Sequence, residues 1–246
     1  MATNYDDISD VYLKAALHPI KKYCEAFTLL KVLGNVKAKS VLDLACGDGY
    51  YTRLIKQQGT AQTVGVDISQ KMIDQAKRME RAVPLGIDYQ TGDITKLGQI
   101  GQFDVVTAVY LLPYASTKPL LTAMFQTIYD NLKPSGKLVS ITLDPNLAED
   151  NLAVFAGYGI TLVAEAALQD GTMVTATVAV ADGSSFKMQT FHWEEATYES
   201  VICEVGFQDI RWYPIQVSEA GIKDYGAAYW QAYAIKPYGI VLECAK

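Results

Sequence analysis

Residues 40–52, SVLDLACGDGYYT, decide the fold class. Val41, Leu42 and Leu44 make a short apolar strand, Asp43 puts a carboxylate near its end, and Gly47 and Gly49 let the backbone bend and come close to a ligand. Tyr50 to Gln58 then reads as a helix, so the stretch opens a nucleotide-binding α/β unit. A dinucleotide site would carry Gly-x-Gly-x-x-Gly, with a pyrophosphate resting on the helix N-terminus. Here the third glycine position is Thr52, and Asp43 would meet that phosphate with like charge, so the turn favours a cationic nucleoside.

S-adenosylmethionine is such a ligand, and the next two strand ends suit it. Thr63 to Asp67, TVGVD, is a short apolar run ending in an acid some 20 residues beyond the glycine turn, a position from which a carboxylate accepts from both ribose hydroxyls. Gly86 to Thr91 reads as a third strand running into Gly92-Asp93-Ile94, where Asp93 can accept from an exocyclic adenine amine and Ile94 can cover a face of the ring. Asp at a strand end or a helix cap is common, so each acid alone has a structural reading too. Three in order at these spacings point to one cofactor.

The motifs VLDLACGDG (41–49), VGVDIS (64–69), GDI (92–94), FDVVTAVYLL (103–112) and LKPSGKLV (132–139) resemble the class I S-adenosylmethionine-dependent methyltransferases, over residues 40–143. The flanks YDDISDVYLKAALHP (5–19), FHWEEATYESVICEVGFQDIRWY (191–213) and the final YGIVLECAK are similar to toxoflavin synthase-type small-molecule N-methyltransferases. The resemblance implies a cofactor site made of Tyr12, Asp43, Ala45, Cys46, Gly47, Gly49, Asp67, Ile68, Met72, Asp93, Ile94, Val109 and Tyr110. It sets Tyr12 over the methionine carboxylate and Tyr110 beside the transferred methyl.

Periodicity gives the same architecture. Strands are expected at 40–45, 63–67, 86–91, 103–109 and 136–143, and helices at 21–33, 50–58, 70–82 and 118–132, with Ser69 as a helix cap. Pro134-Ser135-Gly136 reads as the turn into the fifth strand. Alternation of this kind implies a Rossmann-like, mostly parallel sheet with ligands at the carboxyl ends of its strands. Segments 160–166, 172–181 and 185–193 read as an antiparallel insertion, its last two strands joined at Asp182-Gly183, that roofs the site or pairs subunits. Helix 194–206 and strands 207–213 and 238–244 return to the main sheet, the last strand antiparallel by the resemblance. One domain is expected, 1–246: a helical arm (1–36), a cofactor-binding core (40–143), the β insertion (146–193) and a C-terminal part (194–246).

Composition narrows the partners. The chain has 246 residues, half of them hydrophobic, enough for one large core and without a Ser-, Gly- or Pro-rich linker. A net charge of −6, with only the pairs Lys77-Arg78 and an exposed Lys21-Lys22 as basic clusters, argues against nucleic acid. Tyr110-Leu111-Leu112-Pro113-Tyr114 also lacks the (Asn/Asp)-Pro-Pro-(Tyr/Phe) turn of amino-methylating DNA enzymes. No apolar run is long enough to span a bilayer and MATNYDDIS is not a signal peptide, so a cytoplasmic location is expected. Four cysteines without Cys-x-x-Cys spacing and two histidines offer no zinc site, and the metal ligands of catechol methylation are missing, so no metal is expected.

Substrate choice should lie in the insertion and the arm, where Tyr5, Tyr12, Tyr110, Tyr114, Tyr158, Tyr213 and Tyr229 border a pocket at the strand ends, suited to a planar heteroaromatic acceptor of secondary metabolism. His192 is the candidate general base, with His18 behind it, although a neutral ring nitrogen would need none. The expected reaction is N-methylation of a small molecule by a monomer or homodimer. The alternatives are O- or C-methylation and a non-catalytic cofactor-binding partner.

Overall fold

The computed structural model describes residue 6, residues 11–12, 18–148, 152–180 and 182–246. Strand β1 (Ser40–Leu44) is buried along its whole length, because it is flanked on both edges and covered on both faces. Its alternation sorts the core: Val41 joins Val105, Val139 and Val241 on one side, while Leu42 and Leu44 join Val106, Ala108, Leu138 and Leu242 on the other. Helix α1 (Ala26–Leu33), continuous with a π-helical turn at Lys21–Glu25, covers the first side through Leu29 and Leu33.

The remaining units follow in turn: α2 (Tyr50–Lys56), β2 (Gln62–Asp67), α3 (Gln70–Ala82), β3 (Asp88–Thr91), β4 (Phe103–Val109), α4 (Lys118–Asp130) and β5 (Leu132–Leu143). Then come β6 (Ile160–Ala164), β7 (Met173–Ala179), β8 (Ser185–Phe191), α5 (Glu195–Val205), β9 (Gln208–Pro214), α6 (Glu219–Tyr225), α7 (Ala227–Ile235) and β10 (Gly239–Ala245). The main sheet has seven strands in the order β3-β2-β1-β4-β5-β10-β9. It is parallel except for β10, which runs against both neighbours, and β6-β7-β8 form a separate antiparallel sheet of three strands. This is the Rossmann-like architecture expected.

Three details differ from the sequence reading. Pro134-Ser135-Gly136 does not precede β5 but lies inside it, as an irregularity where the register against β4 jumps and Ser135 takes φ 63°. The helix expected at 21–33 opens as a π turn, and it brings both Lys21 and Glu25 to one cavity. Helices α6 and α7 are additional. Their aromatic side chains Tyr225, Tyr229, Trp230 and Tyr233 stack with one another and with Tyr23 and Tyr158, forming a wedge behind the sheet.

Candidate active site

The carboxyl ends of β1, β2 and β4 and the three-stranded sheet enclose a cavity of about 330 Å³. Its floor is the glycine turn. Ala45 (φ 57°) and Gly47 (φ 56°) turn the chain through left-handed backbone, and a Cβ added at Gly47 would meet no atom within 4 Å, so open space lies directly above this glycine. Gly49 serves otherwise. It caps α2 at φ 84°, and an added Cβ would clash with the Tyr89 hydroxyl, so it is kept for packing and does not line the cavity.

Asp67, at the end of β2, ties two loops together. Its Oδ2 accepts from Gly47 N at 2.7 Å and its Oδ1 from Ser69 N at 2.9 Å, which leaves a lone pair on each oxygen. Burial raises its proton affinity, and these backbone bonds oppose the rise. Asp93 lies in the next loop. Burial acts to raise it, but bonds from Thr95 and the Lys96 ammonium outweigh that and hold it below the usual carboxylate range. Ile68 is 65% exposed beside it, an apolar side chain open to the cavity, with Ile94 and Met72 nearby on the wall.

Asp43 is at the bottom, 1% exposed, with Thr52 and Thr107 donating to its two oxygens at 2.6 and 2.7 Å. Burial pushes its carboxyl up to about 6 despite these hydroxyls, and the Asp67 charge adds to the rise. The folded chain therefore holds this proton more tightly than the unfolded one. Asp43 contributes stability that is full below about pH 4 and is lost as pH rises through about 6. Asp43→Asn is expected to abolish this loss, gaining up to about 3 kcal/mol relative to the parent between about pH 4 and pH 7. Urea unfolding of both chains at the two pH values measures it.

The other end of the cavity is built on Glu25, 4% exposed. Its Oε1 accepts from Tyr110 Oη at 2.6 Å and Tyr238 Oη at 2.9 Å, and its Oε2 from Tyr51 Oη at 2.7 Å. Tyr110 follows β4 in left-handed backbone (φ 55°). Burial and the Glu25 charge push its phenol well above the usual range, so it stays protonated, with its proton committed to Glu25. Tyr12 lies between floor and roof: its ring is 5.4 Å from Lys21 Nζ and 5.5 Å from the Phe186 ring. Ile160, Leu162, Val178, Phe186 and Met188 of the small sheet close the top.

Of the residues expected from sequence, Asp43, Ala45, Cys46, Gly47, Asp67 and Ile68 line this one cavity. Met72, Asp93, Ile94, Val109, Tyr110, Tyr12 and Tyr114 do so as well. His192 does not. It is buried just past β8, with Nδ1 unpaired and its proton affinity lowered by burial, and the structure does not bring it to the lining of this cavity. His18 does reach the wall. Tyr158 and Tyr229 belong to the aromatic wedge and Tyr213 bonds Glu243, while Tyr5 lies outside the described residues. Lys21, Glu25, Asp48, Tyr51 and Tyr238 are lining residues that the sequence reading did not name. The local signal was an acid, Glu25, set directly before the apolar run AFTLLKVL.

Residues 41–136 match the family described as a methyltransferase domain. An uncharacterized protein of Haemophilus influenzae is 31% identical over 141 residues, 54% of each chain. A ubiquinone biosynthesis O-methyltransferase of Coxiella burnetii is 36% identical over 113 residues, 46% of this chain and 47% of its own. The chain spans about half the length of the curated relatives it matches. Among solved structures, an S-adenosylmethionine dependent methyltransferase from Mesorhizobium loti superposes with TM-score 0.63 at 19% identity, covering 89% of this chain and 96% of that one. The glycine turn and the strand-end acids Asp43, Asp67 and Asp93 fall within the matched segment, so residues 41–136 resemble a methyltransferase domain, and the chain shares the fold of that methyltransferase.

Proposed function

We propose that the chain methylates a small planar acceptor, held between the tyrosines at the Glu25 end of the cavity and the apolar roof. The observation that carries this reading is that Ile160, Leu162, Val178, Phe186 and Met188 line the same cavity as the glycine turn. Such a roof excludes water and offers flat contact, which suits an aromatic small molecule and not a protein side chain or nucleic acid.

The residues present fit S-adenosylmethionine. The open space over Gly47, the spare lone pairs of Asp67 and the exposed Ile68 are places for a backbone-close ligand, a ribose and an apolar ring face. Asp93 and Ile94 would flank the adenine, and Ala45, Cys46, Met72 and Val109 the remaining surface. When bound, the cofactor supplies a methyl group already activated by its sulfonium. What the chain adds is position. Tyr110 holds its hydroxyl proton on Glu25 and so presents an oxygen lone pair, which orients an acceptor that donates a hydrogen bond. The roof and Tyr12 keep the reacting pair dry.

A ring or amine nitrogen is the preferred acceptor atom, in line with the flanking resemblance to toxoflavin synthase-type enzymes and with the engagement of both ring nitrogens of His18, the imidazole on the wall among the described residues. O-methylation is the second reading, favoured by the ubiquinone biosynthesis O-methyltransferase relative. Labelled S-adenosylmethionine offered with a panel of N-heterocycles, phenols and quinols, followed by mass spectrometry, tests both. Label is expected on a ring nitrogen. Label on oxygen alone moves the assignment to the second reading, and cofactor binding without any transfer overturns both.

A further inference from the structure

A methyl group leaving a sulfonium carries positive charge with it. When the attacking atom is a nitrogen with no proton to lose, its lone pair forms the N–C bond and the C–S electron pair returns to sulfur. A neutral thioether and an N-methyl cation remain. That outcome is favoured by a fixed negative charge, out of water, on the acceptor side of the cavity.

Glu25 has these properties. It lines the cavity at 4% exposure, and no ammonium or guanidinium of the described residues lies within ion-pair distance of it. Lys21, one helical turn earlier, interacts with it only electrostatically. All three hydrogen bonds that Glu25 accepts come from phenols, and they leave a lone pair on Oε2. Neutral donors hold a buried carboxylate without cancelling its charge, and a phenol that donates to an anion is polarised toward a more negative ring face. Such faces attract cations. Tyr12, Tyr51, Tyr110 and Tyr238 all line this cavity, with the Tyr110 and Tyr238 rings inclined by 27° and their centroids 6.4 Å apart.

Topology puts this group on the acceptor side. Asp67, Ile68 and Asp93 follow β2 and β3, on one flank of β1. Tyr110 follows β4 and Tyr238 precedes β10, on the other flank, and because β10 is antiparallel its start lies at the carboxyl edge of the parallel strands. A nucleoside seated on the first flank leaves the second for the acceptor, with the glycine turn between them.

We propose that Glu25 and its phenols form a subsite for an uncharged ring nitrogen of pyridine or imidazole type, which leaves the cavity as an N-methyl cation. This assignment rests on the nitrogen-acceptor reading above and narrows it: the attacking atom loses no proton, so no base takes part. The Glu25 charge draws the developing cation toward the phenol rings, and the sulfonium charge away from sulfur.

With S-adenosylhomocysteine saturating the full chain, calorimetry compares two shape-matched pairs, N-methylpyridinium with toluene and N-methylquinolinium with 1-methylnaphthalene. In every pair the cavity admits, the parent should bind the cation roughly tenfold or more tighter than the uncharged ring, the reverse of the order their hydration alone would set. Glu25→Gln, which still accepts from Tyr110 and Tyr238, should erase most of that preference by weakening the cations alone. Cations bound by the parent no tighter than the uncharged rings overturn the assignment without recourse to any variant. So does a folded Glu25→Gln that binds the cations as the parent does, or that loses both members of a pair equally. A Glu25→Gln chain weakened toward S-adenosylmethionine but not S-adenosylhomocysteine would put the charge at the sulfonium, and also overturns it. The cofactor reading survives each of these results. Parent chain that binds S-adenosylhomocysteine but no member of either pair overturns the planar-acceptor reading, and parent chain that does not bind S-adenosylhomocysteine overturns the cofactor reading; this assignment falls with either.

Discussion

Asp67→Ala is expected to weaken S-adenosylhomocysteine binding by about a hundredfold or more, the largest single loss among the cavity residues. Two effects add. The substitution removes the spare lone pairs that would receive the two ribose hydroxyls, each a bond to a charged acceptor contributing on the order of 1.5–3 kcal/mol. It also removes the clamp on Gly47 N and Ser69 N, bonds of 2.7 and 2.9 Å that hold the glycine turn and the start of α3 at a fixed separation. Asp67→Asn keeps one carbonyl acceptor and should lose less. Calorimetry with circular dichroism as a folding check decides it: an Asp67→Ala chain that is folded and binds as tightly as the parent removes Asp67 from the ribose position.

The parallel core and the strand-end acids could be read from sequence because both are local. A strand covered on both faces needs apolar side chains in both phases, as Val41, Leu42 and Leu44 show, and a turn through left-handed backbone favours glycine, as at Gly47. Ser69 capping α3 through Met72 N is equally local. Gly49 marks where this kind of reading stops. The motif identifies a residue that must lack a side chain, but whether a ligand or the Tyr89 ring fills the space is decided by β3, some 40 residues away.

His192 lies outside the cavity lining for a different reason. A rare imidazole draws a chemical role, yet the end of β8 seals it in and leaves Nδ1 without a partner, so burial and not reactivity governs it. Lys21 and Lys22 read as one exposed basic pair, but only Lys22 is exposed: the π turn sends Lys21 inward, and nothing in KKYCE announces a π turn. Helix α7 escaped notice because AAYWQAYAI is apolar on nearly every face. It shows no 3.6-residue stripe, and its helical state is fixed by the aromatic wedge it joins. The Glu25 cluster gathers residues from four separate segments of the chain, a juxtaposition that no spacing rule encodes.

That cluster carries the second large effect. Glu25→Ala is expected to destabilise the fold by on the order of 3–5 kcal/mol, since three phenols lose their acceptor at once and each orphaned hydroxyl costs about 1–3 kcal/mol, less wherever cavity water replaces the carboxylate. Glu25→Gln should cost far less: its amide oxygen still accepts from Tyr110 and Tyr238, and its amide nitrogen can donate to the Tyr51 oxygen once that hydroxyl turns. The contrast separates lost hydrogen bonds from lost charge, and urea unfolding of the two variants reads it directly. Equal midpoints for Glu25→Ala and the parent would mean that the phenols find partners without Glu25. In that case Tyr110 keeps a proton free to donate into the cavity, and the preference for an acceptor that itself donates a hydrogen bond no longer follows from the structure.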